Sequence, residues 1–313
     1  MIRVQSAANA SMRRKHIRHA VKMSLPFYLM VLLPIAYYIV FHYIPMFGIV
    51  IAFKDYNIYQ GIWGSPWMGL QYFNEFLSDP YFYKVLRNTM VIGLYHILFN
   101  FPAPIILALL LNEIKSNRFK RVVQTVSYIP HFLSTVVVCG IVLNLLSSDG
   151  LINQFLMALG LERIQFMILP QWFRTVFVTS GIWTGIGWAS IIYLAALAGI
   201  NPTLYEAASI DGASRMRMAL NITLPGILPT VMVMLIFQVG SILSVSFEKV
   251  LLLYNGAIYE TADVLQTYIY RRGLIGNDFS YATAVGLFSS VISVLFLASS
   301  NFLSRKLTDN GLW

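Results

Sequence analysis

Six stretches of this chain, roughly 25–53, 89–111, 122–146, 175–200, 226–247 and 281–303, are long and apolar enough to cross a hydrocarbon core. A crossing takes about 20 helical residues. Lipid offers no partner for a bare N–H or C=O, so each run must satisfy its own backbone, and helix is the economical way to do so. The short alternating segments that build a β-barrel are not what these runs look like. Only 11 % of residues are charged and 58 % are apolar, where a soluble domain carries roughly 25 % charge. The fold class that follows is all-α: a polytopic membrane protein of six transmembrane helices. Its membrane domain covers 25–303, between a basic segment 1–24 and a short tail 304–313. The first run contains Pro34 and Pro45 and is longer than a crossing needs, so a tilt or kink is expected there.

Lysine and arginine set the expected orientation. With the N-terminus in the cytoplasm, the inside segments are 1–24, 112–121, 201–225 and 304–313. They hold 14 of the 22 Lys and Arg and 4 of the 13 acids, leaving 8 and 9 outside. The positive-inside rule then puts both termini in the cytoplasm. The basic start (Arg13, Arg14, Lys15, Arg18, Lys22) resembles that of a signal peptide, but the run behind it is too long for one and is read as a retained span. The net charge of +9 belongs to this topology rather than to nucleic acid. Three outside loops of about 30 residues each remain, too short for a separate domain of usual size. Trp63, Trp67 and Trp172 in them suit the membrane interface.

Several chemistries are missing. No Gly-x4-Gly-Lys-Ser/Thr phosphate loop occurs, and no His-Glu-x-x-His. The five histidines lack metal-ligand spacing, and His96 and His131 read as hydrogen-bonded structural groups. The single cysteine, Cys139, can form neither an internal disulfide nor a cysteine cluster, and reads as a small buried hydrophobe. The span centres carry no Asp, Glu, Lys or Arg, the groups that relay ions in coupled transporters. No catalytic residue and no metal site is expected.

The segment between the fourth and fifth runs is unusual. Asn201 suits a helix cap and Pro202 its first position. Gly212 suits a stop, because glycine takes the left-handed conformation at little cost. A second short helix is expected over 214–221, with Pro225 opening the next span. Small Ala207 and Ala208 would let another surface approach closely, with Glu206 and Asp211 at the edges. Residues alone leave this open between a docking element and an ordinary loop.

The pattern Glu206-Ala207-Ala208, Gly212, Ile222-x-Leu224-Pro225 resembles, at every position, the EAA loop of binding-protein-dependent ABC importer permeases. Other segments look like the carbohydrate branch of that family: His42-Tyr-Ile-Pro-Met-Phe-Gly, Ile62-Trp-Gly-Ser-Pro-Trp, Phe101-Pro-Ala-Pro, Ser127-Tyr-Ile-Pro-His, Gly187-Trp-Ala-Ser, Ala262-Asp-Val-Leu-Gln and Gly311-Leu-Trp. The chain is similar to the larger permease of maltose-type importers, without its extra N-terminal spans and large external domain.

The resemblance implies a multi-pass permease subunit in the bacterial cytoplasmic membrane that imports oligosaccharides. It implies four kinds of partner: a second, related permease in a heterodimer, two ATPase subunits, an extracytoplasmic solute-binding protein and the sugar itself. ATP and Mg would be bound by the ATPase, with no cofactor in this chain. The ATPase coupling loop would comprise Glu206, Ala207, Ala208, Ile210, Asp211, Gly212, Leu224 and Pro225. A sugar pathway needs hydrogen-bonding groups and flat aromatic faces, and the spans offer Asn144, Trp183, Trp188, Tyr193, Gln238, Ser241 and Ser244. Helix packing is the competing explanation for the small ones. Glu248, Asp263, Arg271 and Arg272 fall outside and read as solvated or headgroup-facing charge. The rival functions are an ion-coupled secondary transporter, an intramembrane enzyme and a non-transporting scaffold.

Overall fold

The computed structural model describes residues 21, 23–308 and 311. Arg13, Arg14, Lys15, Arg18 and Lys22 lie outside the described residues, as does most of the tail beyond 308. The chain divides into two compact units, Met1–Gly69 and Leu70–Trp313. In the first, helix α1 (Met23–Phe53) contains a π turn at Ile39–Tyr43 and ends in 3-10 geometry at Phe47–Phe53. A turn follows, tied by Lys54 Nζ, which donates to the carbonyls of Ile62 (2.8 Å) and Ser65 (3.1 Å). Phe53 and Trp67 stack at 5.7 Å.

The second unit is a helical bundle. Helix α2 (Pro80–Glu113) begins where Asp79 caps it, accepting from Tyr81 N, with Pro80 in the first turn. It starts nine residues before the apolar run because Lys84, Arg87 and Asn88 lower the hydropathy without breaking the helix. The next run is not one continuous helix. It is two helices, α3 (Asn117–Phe132) and α4 (Thr135–Leu145), bent by 103°. Pro130 lacks the donor needed to continue α3, and Ser134 restarts the chain as the cap of α4, accepting from Val137 N. Helix α5 (Pro170–Ala198) is continuous. The short α6 (Pro202–Ile210) leads to α7 (Arg215–Gly240).

Two expectations fail around α7. No separate helix spans 214–221, and Pro225 does not open a span. Arg215 to Gly240 is one helix, and a π turn at Ala219–Thr223 accommodates Pro225. The far end also stops early, at Gly240 rather than 247, and Ser241–Ser244 form a turn. Beyond it come α8 (Phe247–Leu253), α9 (Leu265–Tyr270) and the long α10 (Phe279–Thr308). By length and composition the described residues hold five spans, or six when the bent pair counts as one.

The stretch from 248 to 278, expected as an outside loop, is a packed cap. Val250, Leu253, Ile258, Ala262, Val264 and Leu265 are all buried, and most join an apolar cluster with Ile92, Phe173 and Phe177. Asp263 is fully buried, which corrects its reading as solvated charge. It binds Arg271 through two contacts, 2.6 and 3.2 Å, and accepts from Thr267 (2.8 Å) and from the Tyr81 hydroxyl. Asn88 donates to the Asp263 carbonyl and accepts from Arg174. Arg272 pairs with Glu75 and Asp278 and lies over the Tyr281 ring. Tyr268 donates to Asp79 at 2.9 Å. Burial, then the Tyr281 hydroxyl and the Asp79 carboxylate, raise its phenol above the ordinary value, so it remains a neutral donor. The cap is therefore held to the starts of α2 and α10 by polar bonds shielded from water. Cys139 sits in the same apolar cluster.

Candidate functional site

Two apolar clusters lie along α2 and α5. One contains Ile92 and Phe177. The other contains Ile105, Tyr193 and Leu197 with Ile227 of α7. Between them, in chain order on both helices, the lining turns polar and a cavity of about 520 Å³ opens. That is within the range of about 300–1,000 Å³ found for small-molecule sites. A second recess of about 280 Å³ shares His96, Asn100, Gly181, Gln238 and Ser241 with it and extends to Tyr193.

The local backbone explains how the polar groups arrive there. α2 runs through a π turn at His96–Asn100, just before Pro102. Proline cannot donate and crowds the carbonyl four residues back, and a π turn changes that pairing. His96 and Asn100 both face the cavity from this turn. Gln238 Nε2 donates to His96 Nδ1 at 2.9 Å, leaving Nε2 of that ring free to carry the proton. The broken corner between α3 and α4 supplies Pro130, His131, Leu133 and Thr135 to the lining. Irregular backbone at membrane depth is tolerated where it lines such a cavity.

Of the proposed pathway residues, Gln238, Ser241 and Ser244 line the larger cavity, and Tyr193 lines the second recess. Ser241 and Ser244 do so from the turn after α7, not from a span. Trp188 does not line either, but it stacks on His131, with ring centroids 4.6 Å apart and planes 4° from parallel. Trp183 faces a separate apolar recess with Trp172 and Val142. Asn144 is exposed and lines none of these spaces. Trp183 and Asn144 thus lie away from the polar cavity.

Asn100 and Lys249 line the cavity although no sequence motif singles them out, and His96 and His131, expected as structural groups, line it too. Lys249 belongs to α8, yet it is only 9 % exposed and reaches the cavity. Its Nζ donates to the Phe177 carbonyl at 2.8 Å and lies 4.5 Å from that ring's centroid. Gly181 makes room for this group: a Cβ there would stand 2.7 Å from Asn100 Nδ2 and 3.4 Å from Lys249 Nζ. Asn100 itself was findable as a strong hydrogen-bonding side chain inside an apolar run. Lys249 was not, because nothing local shows that α8 folds back.

The loop 201–225 has the expected start and stop. Asn201 accepts from Thr203 N at 3.0 Å. At the other end Gly212 has φ of +73°, Gly212 N donates to Ser209 O, and Ala213 N donates to Ala208 O. This is a Schellman termination, which closes the orphan carbonyls of the last turn. Tyr205 Oη and Thr223 Oγ1 lie 3.0 Å apart and tie α6 to α7. The opposite face is open: Ile210 is 87 % exposed and Leu204 51 %, with Glu206, Ala207 and Asp211 also exposed. Ala208 and Leu224 are half-buried, and Gly212 and Pro225 are exposed.

Comparison with known proteins agrees with this architecture. The chain is 42 % identical over 295 residues to Protein LplB of Bacillus subtilis (strain 168), covering 94 % of this chain and 93 % of that one. It is 44 % identical over 287 residues to the polygalacturonan/rhamnogalacturonan transport system permease protein YteP of the same organism, covering 91 % and 89 %. A chain in the crystal structure of a bacterial alginate ABC transporter, in complex with alginate pentasaccharide-bound periplasmic protein, superposes with a TM-score of 0.87. It is 41 % identical, and the match covers 94 % of this chain and 99 % of that one. Residues 100–309 match the family described as binding-protein-dependent transport system inner membrane component, and the chain belongs to that family as a permease subunit of the bacterial cell membrane.

Proposed function

We propose that this chain forms half of the translocation path of an ATP-driven oligosaccharide importer, with both termini in the cytoplasm. The observation that carries the reading is the pairing of a polar cavity midway along α2 and α5 with an exposed, capped helix in the loop 201–225. The relatives' names support the substrate class: one names polygalacturonan and rhamnogalacturonan, the other an alginate pentasaccharide. The partners would be a second, related permease, two ATPase subunits carrying ATP and Mg, and an extracytoplasmic solute-binding protein.

In this reading α6 seats against the ATPase. Ile210 and Leu204 provide apolar contact, Ala207 and Ala208 permit close approach, and Glu206 and Asp211 flank the face. Gly212 fixes the exit angle. Force on α6 passes to α7 through Tyr205–Thr223 and the direct chain connection. α7 carries Gln238 into the cavity wall, so the ATPase and the sugar bias one two-state element from two sites. An ion-coupled transporter gives no reason for the exposed loop helix.

The test is ATP-dependent uptake of labelled oligosaccharides by the reconstituted complex. Glu206→Ala and Gly212→Pro should assemble but lose most uptake, because proline's φ near −65° cannot replace +73°. Full uptake in both variants moves the coupling site elsewhere. Uptake that needs no ATPase removes the importer reading.

A further inference from the structure

Lys249 stands out as a buried cation facing a cavity with no acid to match it. An ammonium group has three donors. One goes to the Phe177 carbonyl and the ring of Phe177 faces the charge. Among the described residues no ion pair reaches Lys249, and the adjacent Glu248 is exposed. Removing a cation from water without a counter-charge costs several kcal/mol, so such groups are kept where something pairs with them. A second observation lies alongside. Asn100 Oδ1 is buried and lacks a hydrogen-bond partner, while Asn100 Nδ2 makes only a long contact of 3.4 Å to Val178 O. Native structures leave few such groups unsatisfied.

Both groups border one space. A Cβ on Gly181 would crowd both, and the surrounding wall holds His96, Gln238 and Ser241, all able to hydrogen-bond a hydroxyl. The site offers spare donors on a buried ammonium group, one unfilled acceptor, and neutral polar groups around them. A neutral sugar would satisfy Asn100 but leave Lys249 unmatched. A sugar bearing a carboxylate beside a hydroxyl satisfies both. We infer that the cavity recognises acidic saccharides, with Lys249 binding a uronate carboxylate and Asn100 Oδ1 accepting from a neighbouring hydroxyl. This rests on the importer reading and narrows its substrate class. A carboxylate from an assembled partner subunit is the competing occupant.

The experiment uses the full complex in proteoliposomes with saturating binding protein. The probes are uronate oligosaccharides from alginate and from polygalacturonate, each beside its carboxyl-reduced form, which keeps the linkage and loses the charge. Wild type should favour the acidic form. In Lys249→Gln that preference should fall about tenfold, the weight of one charge-assisted hydrogen bond, and Lys249→Arg should restore much of it. Asn100→Asp, which places a carboxylate beside the lysine with little change of shape, should lower the preference similarly, and it keeps the question open to test if Lys249→Gln fails to assemble. Equal loss for acidic and reduced forms, or an unchanged preference, overturns the inference. So does loss of subunit assembly in both variants, which would assign the cation to a partner's carboxylate. A wild-type complex that carries only reduced forms overturns it while leaving the importer intact. Failure to carry any oligosaccharide in an ATP-dependent way removes the importer reading as well.

Discussion

Asp263 and Arg163 show how differently two charged groups can matter in one chain. Asp263 is fully buried and bound by Arg271, Thr267 and Tyr81. Arg163 pairs with Asp149 at 3.2 Å, with both side chains half exposed or more. Breaking a buried pair from one side costs about 3–5 kcal/mol, because the remaining charge is stranded. Exposed pairs are worth little. Asp263→Ala should therefore lower the thermal denaturation midpoint in detergent sharply and weaken recovery of the folded chain, whereas Arg163→Ala should leave it almost unmoved. Equal midpoints for the two variants would show that the cap is not held by this network. In the sequence both carboxylates look alike, as acids in polar loops. What separates them is burial, sealed in part by Tyr81 from 182 residues away, and no local pattern encodes that.

At the scale of elements, more was readable. The apolar runs located every spanning helix in outline, since length and hydropathy are properties of the run alone. The cap and stop of α6 were readable too, because Asn201, Pro202 and Gly212 act on their own backbone. The breaks were harder. Proline marks a disturbance without saying which kind: Pro130 ends α3 at a 103° corner, while Pro102 and Pro225 sit inside continuous helices behind π turns. The difference depends on whether neighbouring elements satisfy the displaced carbonyls, which is tertiary information. The same reasoning predicts a mild effect at the α6 stop. A Cβ on Gly212 would meet nothing within 4 Å, so Gly212→Ala pays only for its positive φ, about 1 kcal/mol. We expect ATPase stimulation by substrate to fall severalfold with assembly intact, measured on the purified complex. A loss as complete as that of the proline variant would mean that the glycine is needed for closeness and not for its angle.

For the whole molecule, charge distribution gives a prediction that the fold alone does not. With both termini inside, the loop 201–225 faces the cytoplasm and the α4–α5 connection faces outward. In a Cys139→Ala background, Ser209→Cys should react with a membrane-impermeant maleimide only after the membrane is opened. Asp149→Cys, on an exposed side chain, should react in intact cells once the outer barrier is passed. The reverse pattern would invert the topology and place α6 out of reach of any cytoplasmic ATPase.

The arrangement of the two apolar clusters has a mechanical consequence. Each is dry and interlocked, one around Phe177 and one around Tyr193, and such packing resists small deformation. The layer between them holds hydroxyls, amides and imidazoles around open space. Bonds broken there can be remade to water or to a sugar hydroxyl at little net loss, which is not true of a parted leucine contact. The bundle therefore has its seam of least resistance at the level where cargo sits, and a saccharide entering that seam becomes part of what holds the two halves in register.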